Sequence, residues 1–244
     1  MNNYQNDLIK KIGHQAVLND WEKAFGGKSY GNRHLFRVNK IAKYLLKREK
    51  GDPFIVLVGA WIHDVALASG DDYDQKKVEK ETTMFLDTFT EINDNDRKRI
   101  VECAIAHETN GKKLSTEAAI VHDADALDKC GALGIIRHIW KTTNLLENRV
   151  LKGNKDFTVL KRHLLLRQMN LLTKTAQWLV KDINEKGNVF FENRAKAVSE
   201  MENISSLAMA GKTTDQIVKK ILLRQKDPWT LALRDQVSCK YLAN

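Results

Sequence analysis

Residue types that hold metals or move protons interrupt helix faces that are otherwise apolar in this 244-residue chain. His63 and Asp64 sit in the run FIVLVGAWIHDVAL, which is apolar nearly all round and so reads as a buried helix. An ionised carboxylate buried without a partner is strongly unfavourable, and no Lys or Arg lies within one helical turn of Asp64. The carboxylate therefore calls for a cation. Adjacent helix residues diverge by about 100°, so both side chains reach one ion only from a helix edge. A plain His63–Asp64 hydrogen bond is the alternative.

His34 shares a stripe with Val38, Ile41 and Leu45, so it faces inward. Asp123, Asp125 and Asp128 offer further carboxylates, and Asp125, Asp128, Ala132 and Ile136 fall on one stripe. Three helices thus each present a buried ligand type: imidazole, imidazole plus carboxylate, and carboxylate. That donor set suits a divalent ion of Mn, Fe, Mg, Co, Ni or Zn, with positions left open for water and substrate. His107 shares a face with Ile100 and Ala104. A second metal, a phosphate oxygen and a core carbonyl remain open as its partner.

The elements that must position these residues are helical throughout, with no convincing strand pattern. Helices are expected over 4–24, from Asn32 to about Lys50, from Pro53 with Asp52 as its cap, over 75–89 and over 94–109. One or two more fill 115–140. A long helix is expected over 156–186, followed by shorter ones over 189–208, 213–225 and 228–242. Residues 1–150 are expected to form the metal-binding core. Residues 151–244 read as a basic helical extension packed on it, with 17 Lys+Arg against 9 Asp+Glu over 150–244. Ordinary solvated lysines explain such an excess, and attraction of phosphate esters or nucleic acid is the sharper reading.

Composition excludes some classes. No apolar run approaches membrane-spanning length, and the N-terminus lacks a signal-peptide pattern. The 3 Cys residues are scattered, which fits a reducing compartment. A cytoplasmic location is expected. FGGKS fails as a phosphate-binding loop, because Glu22 stands where that pattern needs Gly.

The segments RHLFRVNKIA around His34, WIHDVAL around His63-Asp64 and IVHDADALDKCGALGIIR around Asp125 resemble the HD-domain phosphohydrolase superfamily, named for its His-Asp pair. The resemblance covers about residues 5–180. It implies an all-α fold, an HD-domain helical bundle with additional C-terminal helices. It also implies a metal held by His34, His63, Asp64 and Asp125, favouring Asp125 over Asp123. The last segment resembles small bacterial HD hydrolases, some of which cleave nucleoside triphosphates to monophosphate and pyrophosphate. Two departures stand out. The stretch DYDQKKVEKETTMFL lacks the family's histidine-glutamate step, and Tyr30 replaces a histidine frequent in relatives. Both argue against a full two-metal site.

The expected activity is hydrolysis of a nucleotide or related phosphate ester. Asp64, His107 and Asp128 are the candidate catalytic groups. Arg37, Lys77 and Arg137 are candidates for gripping phosphate, with Arg33 and Lys76 behind them. The competing reading is a non-catalytic, metal-bearing HD protein that senses a nucleotide, or binds nucleic acid or a partner through its basic helices. A tail that only makes a homodimer is the third.

Overall fold

The computed structural model describes residues 1–70, 74–106, 114–166, 171–224 and 227–242. Among these residues the regular structure is all helical. Twelve α-helices are described: α1 (Asn3–Glu22), α2 (His34–Glu49), α3 (Pro53–Ile62), α4 (Gln75–Asp87), α5 (Asp94–Ile105), α6 (Thr116–Asp128), α7 (Gly131–Lys141), α8 (Gly153–Leu166), α9 (Lys174–Asn188), α10 (Arg194–Met209), α11 (Thr214–Leu222) and α12 (Pro228–Ser238). No described helix is long and apolar enough to cross a membrane.

The chain divides into two compact units. Met1–Ser29, Leu35–Asp125 and Leu172–Thr175 form the first; Tyr30–His34, Ala126–Leu171 and Ala176–Asn244 form the second. The divisions after His34 and after Asp125 fall inside the continuous helices α2 and α6.

In the first unit, α3 packs against α1 and α5, and nearly every one of its side chains is buried. Its start is well specified. Asp52 Oδ1 accepts from the backbone N–H of Phe54 at 2.9 Å, and Pro53 takes the first helical position, where no donor is needed. Glu117, in the first turn of α6, accepts from Asp52 N at 2.8 Å and from Arg99 Nη2 at 3.1 Å. These bonds tie the first turns of α3 and α6 to α5. Gly59 lets α3 and α5 close together: a Cβ there would meet Cys103 Cβ at 2.7 Å.

Residues 156–186 are not one helix. α8 ends at Leu166 and α9 begins at Lys174. The fully buried Asp123 carboxylate accepts from Leu172 N, Thr173 N (2.6 Å) and Thr173 Oγ1 (2.7 Å). A backbone held by those bonds cannot donate to carbonyls a turn earlier, so periodicity alone overstated the length of this helix.

In the second unit α7 is buried along almost its whole length and packs against α8, α10, α11 and α12. Gly131 begins it in the left-handed region, φ 65°. The Gln236 side chain accepts from Leu133 N at 2.9 Å and donates to Cys130 O at 3.1 Å, satisfying groups at the start of α7. Gly187 of α9 lies directly on Gly131, where a Cβ would come within 2.7 Å of the Gly131 Cα.

Helix propensity alone favours Ala over Gly by about 1 kcal/mol. At Gly187 the added Cβ meets backbone that cannot rotate away, so overpacking of about 1–3 kcal/mol decides the sign. Gly187→Ala is expected to melt below wild type by several degrees in a thermal scan; an equal or higher Tm contradicts the close approach.

Candidate metal centre

The His-Asp pair lies at a helix end rather than within a helix. His63 keeps helical angles (φ −55°, ψ −31°), but Asp64 has left them (φ −99°, ψ 12°), and a 3-10 helix, Val65–Ser69, follows. The divergence expected of neighbouring helical residues is thereby relaxed. Asp64 Oδ1 lies 3.5 Å from His63 Nε2, and Asp125 Oδ1 lies 3.8 Å from the same nitrogen. The other ring nitrogen, Nδ1, lies 3.1 Å from Ala60 O in the last turn of α3. A carbonyl only accepts, so Nδ1 carries a proton, and Nε2 is the nitrogen turned to both carboxylates.

His34 opens α2, immediately after Arg33 at φ 57°. Its Nδ1 lies 2.6 Å from Asp128 Oδ2. Asp128 ends α6, one turn beyond Asp125. Arg137, on α7, places Nε 3.1 Å from the same Asp128 oxygen.

His34, His63 and Asp125 are the described residues whose ligand atoms gather: one from each lies within 4.8 Å of the others. All three are closed off from water, with 4%, 1% and 4% of their surface exposed. Two imidazoles and a carboxylate at this separation fit a divalent ion by donor chemistry and spacing. Asp64 is outside that compact set but sits against His63 Nε2 with 16% of its side chain exposed. Cys103, behind α3, adds no thiolate, because burial pushes its thiol far up.

The remaining expected site residues are placed as follows. Arg37 is buried on α2, one turn beyond His34. Lys77 is in the first turn of α4 and donates its Nζ to Ser69 O at 3.1 Å. Asp128 and Arg137 are both buried and paired with each other. His107 lies outside the described residues. Sequence reasoning missed the Asp128–Arg137 pair. Its available signal was two opposite charges nine residues apart, both on apolar helix faces.

Residues 32–130 match the HD domain family, and the His–Asp pair lies within that stretch. The YpgQ protein of Bacillus subtilis is similar, 33% identical over 117 residues, which are 43% of this chain and 53% of that protein. The match thus spans about half the length of that relative. A crystal structure of YpgQ superposes with a TM-score of 0.56 at 25% identity, covering 77% of this chain and 92% of that one. A YpgQ structure in complex with ADP gives 0.51 at 26%, covering 72% and 89%. The Lin1889 protein of Listeria innocua gives 0.57 at 24%, covering 79% and 94%, a likeness that speaks for the fold alone.

A ligand that binds only the folded chain stabilises it, by about 2.7 kcal/mol at a hundred times its Kd. Mn²⁺ or Zn²⁺ added to chelator-treated protein is expected to raise Tm. His63→Ala and Asp125→Ala are expected to lose most of that rise. A wild-type Tm indifferent to both ions contradicts the assignment.

Proposed function

We propose that the chain is a metal-dependent phosphohydrolase acting on a nucleotide or related phosphate ester. The observation that carries this reading is the gathering of His34, His63 and Asp125 within 4.8 Å in an HD domain. The ADP complex of YpgQ supports a nucleotide as the class of ligand. The chemistry a bound divalent ion supplies is polarisation of a phosphoryl oxygen and a hydrolytic water that ionises near neutral pH.

The chain's own residues supply position and charge. His63 presents Nε2 because Ala60 O holds Nδ1–H, and Asp64 and Asp125 flank that nitrogen with carboxylate oxygens. Asp64, partly exposed, is the ligand best placed to accept a hydrogen bond from an entering water. Arg37 supplies the phosphate grip, since a guanidinium forks onto two phosphate oxygens and its helix already carries His34. Lys77 and the basic helices of 151–244 add long-range attraction for an anionic substrate.

The test is release of phosphate or pyrophosphate from a panel of nucleoside mono-, di- and triphosphates with added divalent metal. His63→Ala and Asp125→Ala are expected to lower kcat by about 10²–10³-fold or more while the far-UV CD spectrum stays helical. Turnover equal to wild type removes the reading. Nucleotide binding without any release, at every metal tried, favours a sensing role instead.

Arg37→Lys keeps the charge but loses the fork, and is expected to raise KM for the nucleotide by about tenfold, which is about 1.4 kcal/mol. An unchanged KM assigns the phosphate grip to another residue.

A further inference from the structure

We infer that Asp128 and Arg137 are positioning residues: Arg137 fixes Asp128, and Asp128 holds the His34 imidazole with Nδ1 protonated and Nε2 turned to the metal. The inference rests on the metal-centre reading and deepens it. It assigns to Asp128 a role other than proton transfer, and to Arg137 a role other than gripping phosphate.

The geometry is a hydrogen bond and an ion pair converging on one oxygen. His34 Nδ1 and Arg137 Nε lie 2.6 Å and 3.1 Å from Asp128 Oδ2. An ionised carboxylate is an acceptor only, so His34 must donate from Nδ1. In a neutral imidazole that leaves the Nε2 lone pair as the coordinating one. His63 reaches the same tautomer by a different partner, the Ala60 carbonyl. Both histidines therefore present the same ring nitrogen, and each is locked through the other one. Such partners of a metal-bound imidazole set its orientation and its basicity.

Burial separates this role from the alternatives. The Asp128 side chain is 0% exposed and that of Arg137 is 4% exposed. A proton-transfer group must meet water or substrate, and Asp128 meets neither without leaving His34. Arg137 is engaged by Asp128, and turning it away to meet a phosphate would strand Asp128 as a buried charge.

The experiment measures Mn²⁺ and Zn²⁺ affinity of the full chain by competition with a chelating dye, for wild type, Asp128→Asn, Asp128→Ala and Arg137→Met. Asparagine keeps an oxygen for the His34 N–H; alanine keeps nothing. Affinity is expected to fall in the order wild type, Asn, Ala, with the alanine variant about 10–100-fold weaker. Arg137→Met is expected to weaken metal binding while shifting KM for the nucleotide less than about threefold at saturating metal, whereas a lost phosphate contact costs about tenfold. At saturating metal, Asp128→Asn is expected to lose less than about tenfold in kcat, against about 10²-fold or more for a lost proton-transfer group.

For variants that fail to fold, ¹⁵N-imidazole spectra of Zn²⁺-loaded wild type give the tautomer directly. They should show the His34 proton on Nδ1, with that signal identified by its loss in His34→Gln. A proton on Nε2, or unchanged metal affinity in folded Asp128→Ala, overturns the positioning role and leaves the metal centre standing. A wild type that binds neither ion overturns the metal centre itself.

Discussion

Taking His34, His63 and Asp125 out of water within 4.8 Å of one another strips them of the solvation that would otherwise hold their polar atoms. Every lone pair and proton there must be met by something inside the protein or by an ion. The two histidines meet this demand in the same way. Each hands Nδ1–H to an internal acceptor, Asp128 for His34 and Ala60 O for His63. The packing around the three residues braces that arrangement.

The bracing is visible at the far ends of the same helices. α3 carries the His-Asp pair at its C-terminal end, and α6 carries Asp125 near its own. Their first turns are joined through Asp52, Glu117 and Arg99, so the two helices are fixed at the ends away from His63 and Asp125. Gly59 then draws α5 against the middle of α3. Beyond Asp128 the chain turns at once into α7, whose buried face carries Arg137 back to Asp128.

Much of this was legible in the sequence because apolar stripes and polar exceptions both follow from helix geometry. His34 was marked by its stripe with Val38, Ile41 and Leu45, all of which have no exposed surface. Asp52-Pro53 announced the start of α3 through local chemistry alone. Partnerships between helices were the illegible part. Two opposite charges nine residues apart on apolar faces hint at a pair, but the turn at Gly131 lies between Asp128 and Arg137, and helix periodicity does not carry across it. The end of α3 at the His-Asp pair was hidden for a related reason: the sequence stays apolar past it, and only backbone angles reveal the change to a 3-10 turn.

Asp123 was weighed as a ligand, and the structure gives it other work. It sits two residues before Asp125 on α6, and its carboxylate is taken up by the backbone of Leu172 and Thr173. A short connection between helices is ordinarily the most forgiving part of a chain, open to inserted residues, tags or relocated termini. Here the donors of that connection hydrogen-bond a carboxylate with no exposed surface. Editing Leu172 or Thr173 therefore disturbs the helix that carries Asp125. Leu172 and Thr173 thus have little freedom to change.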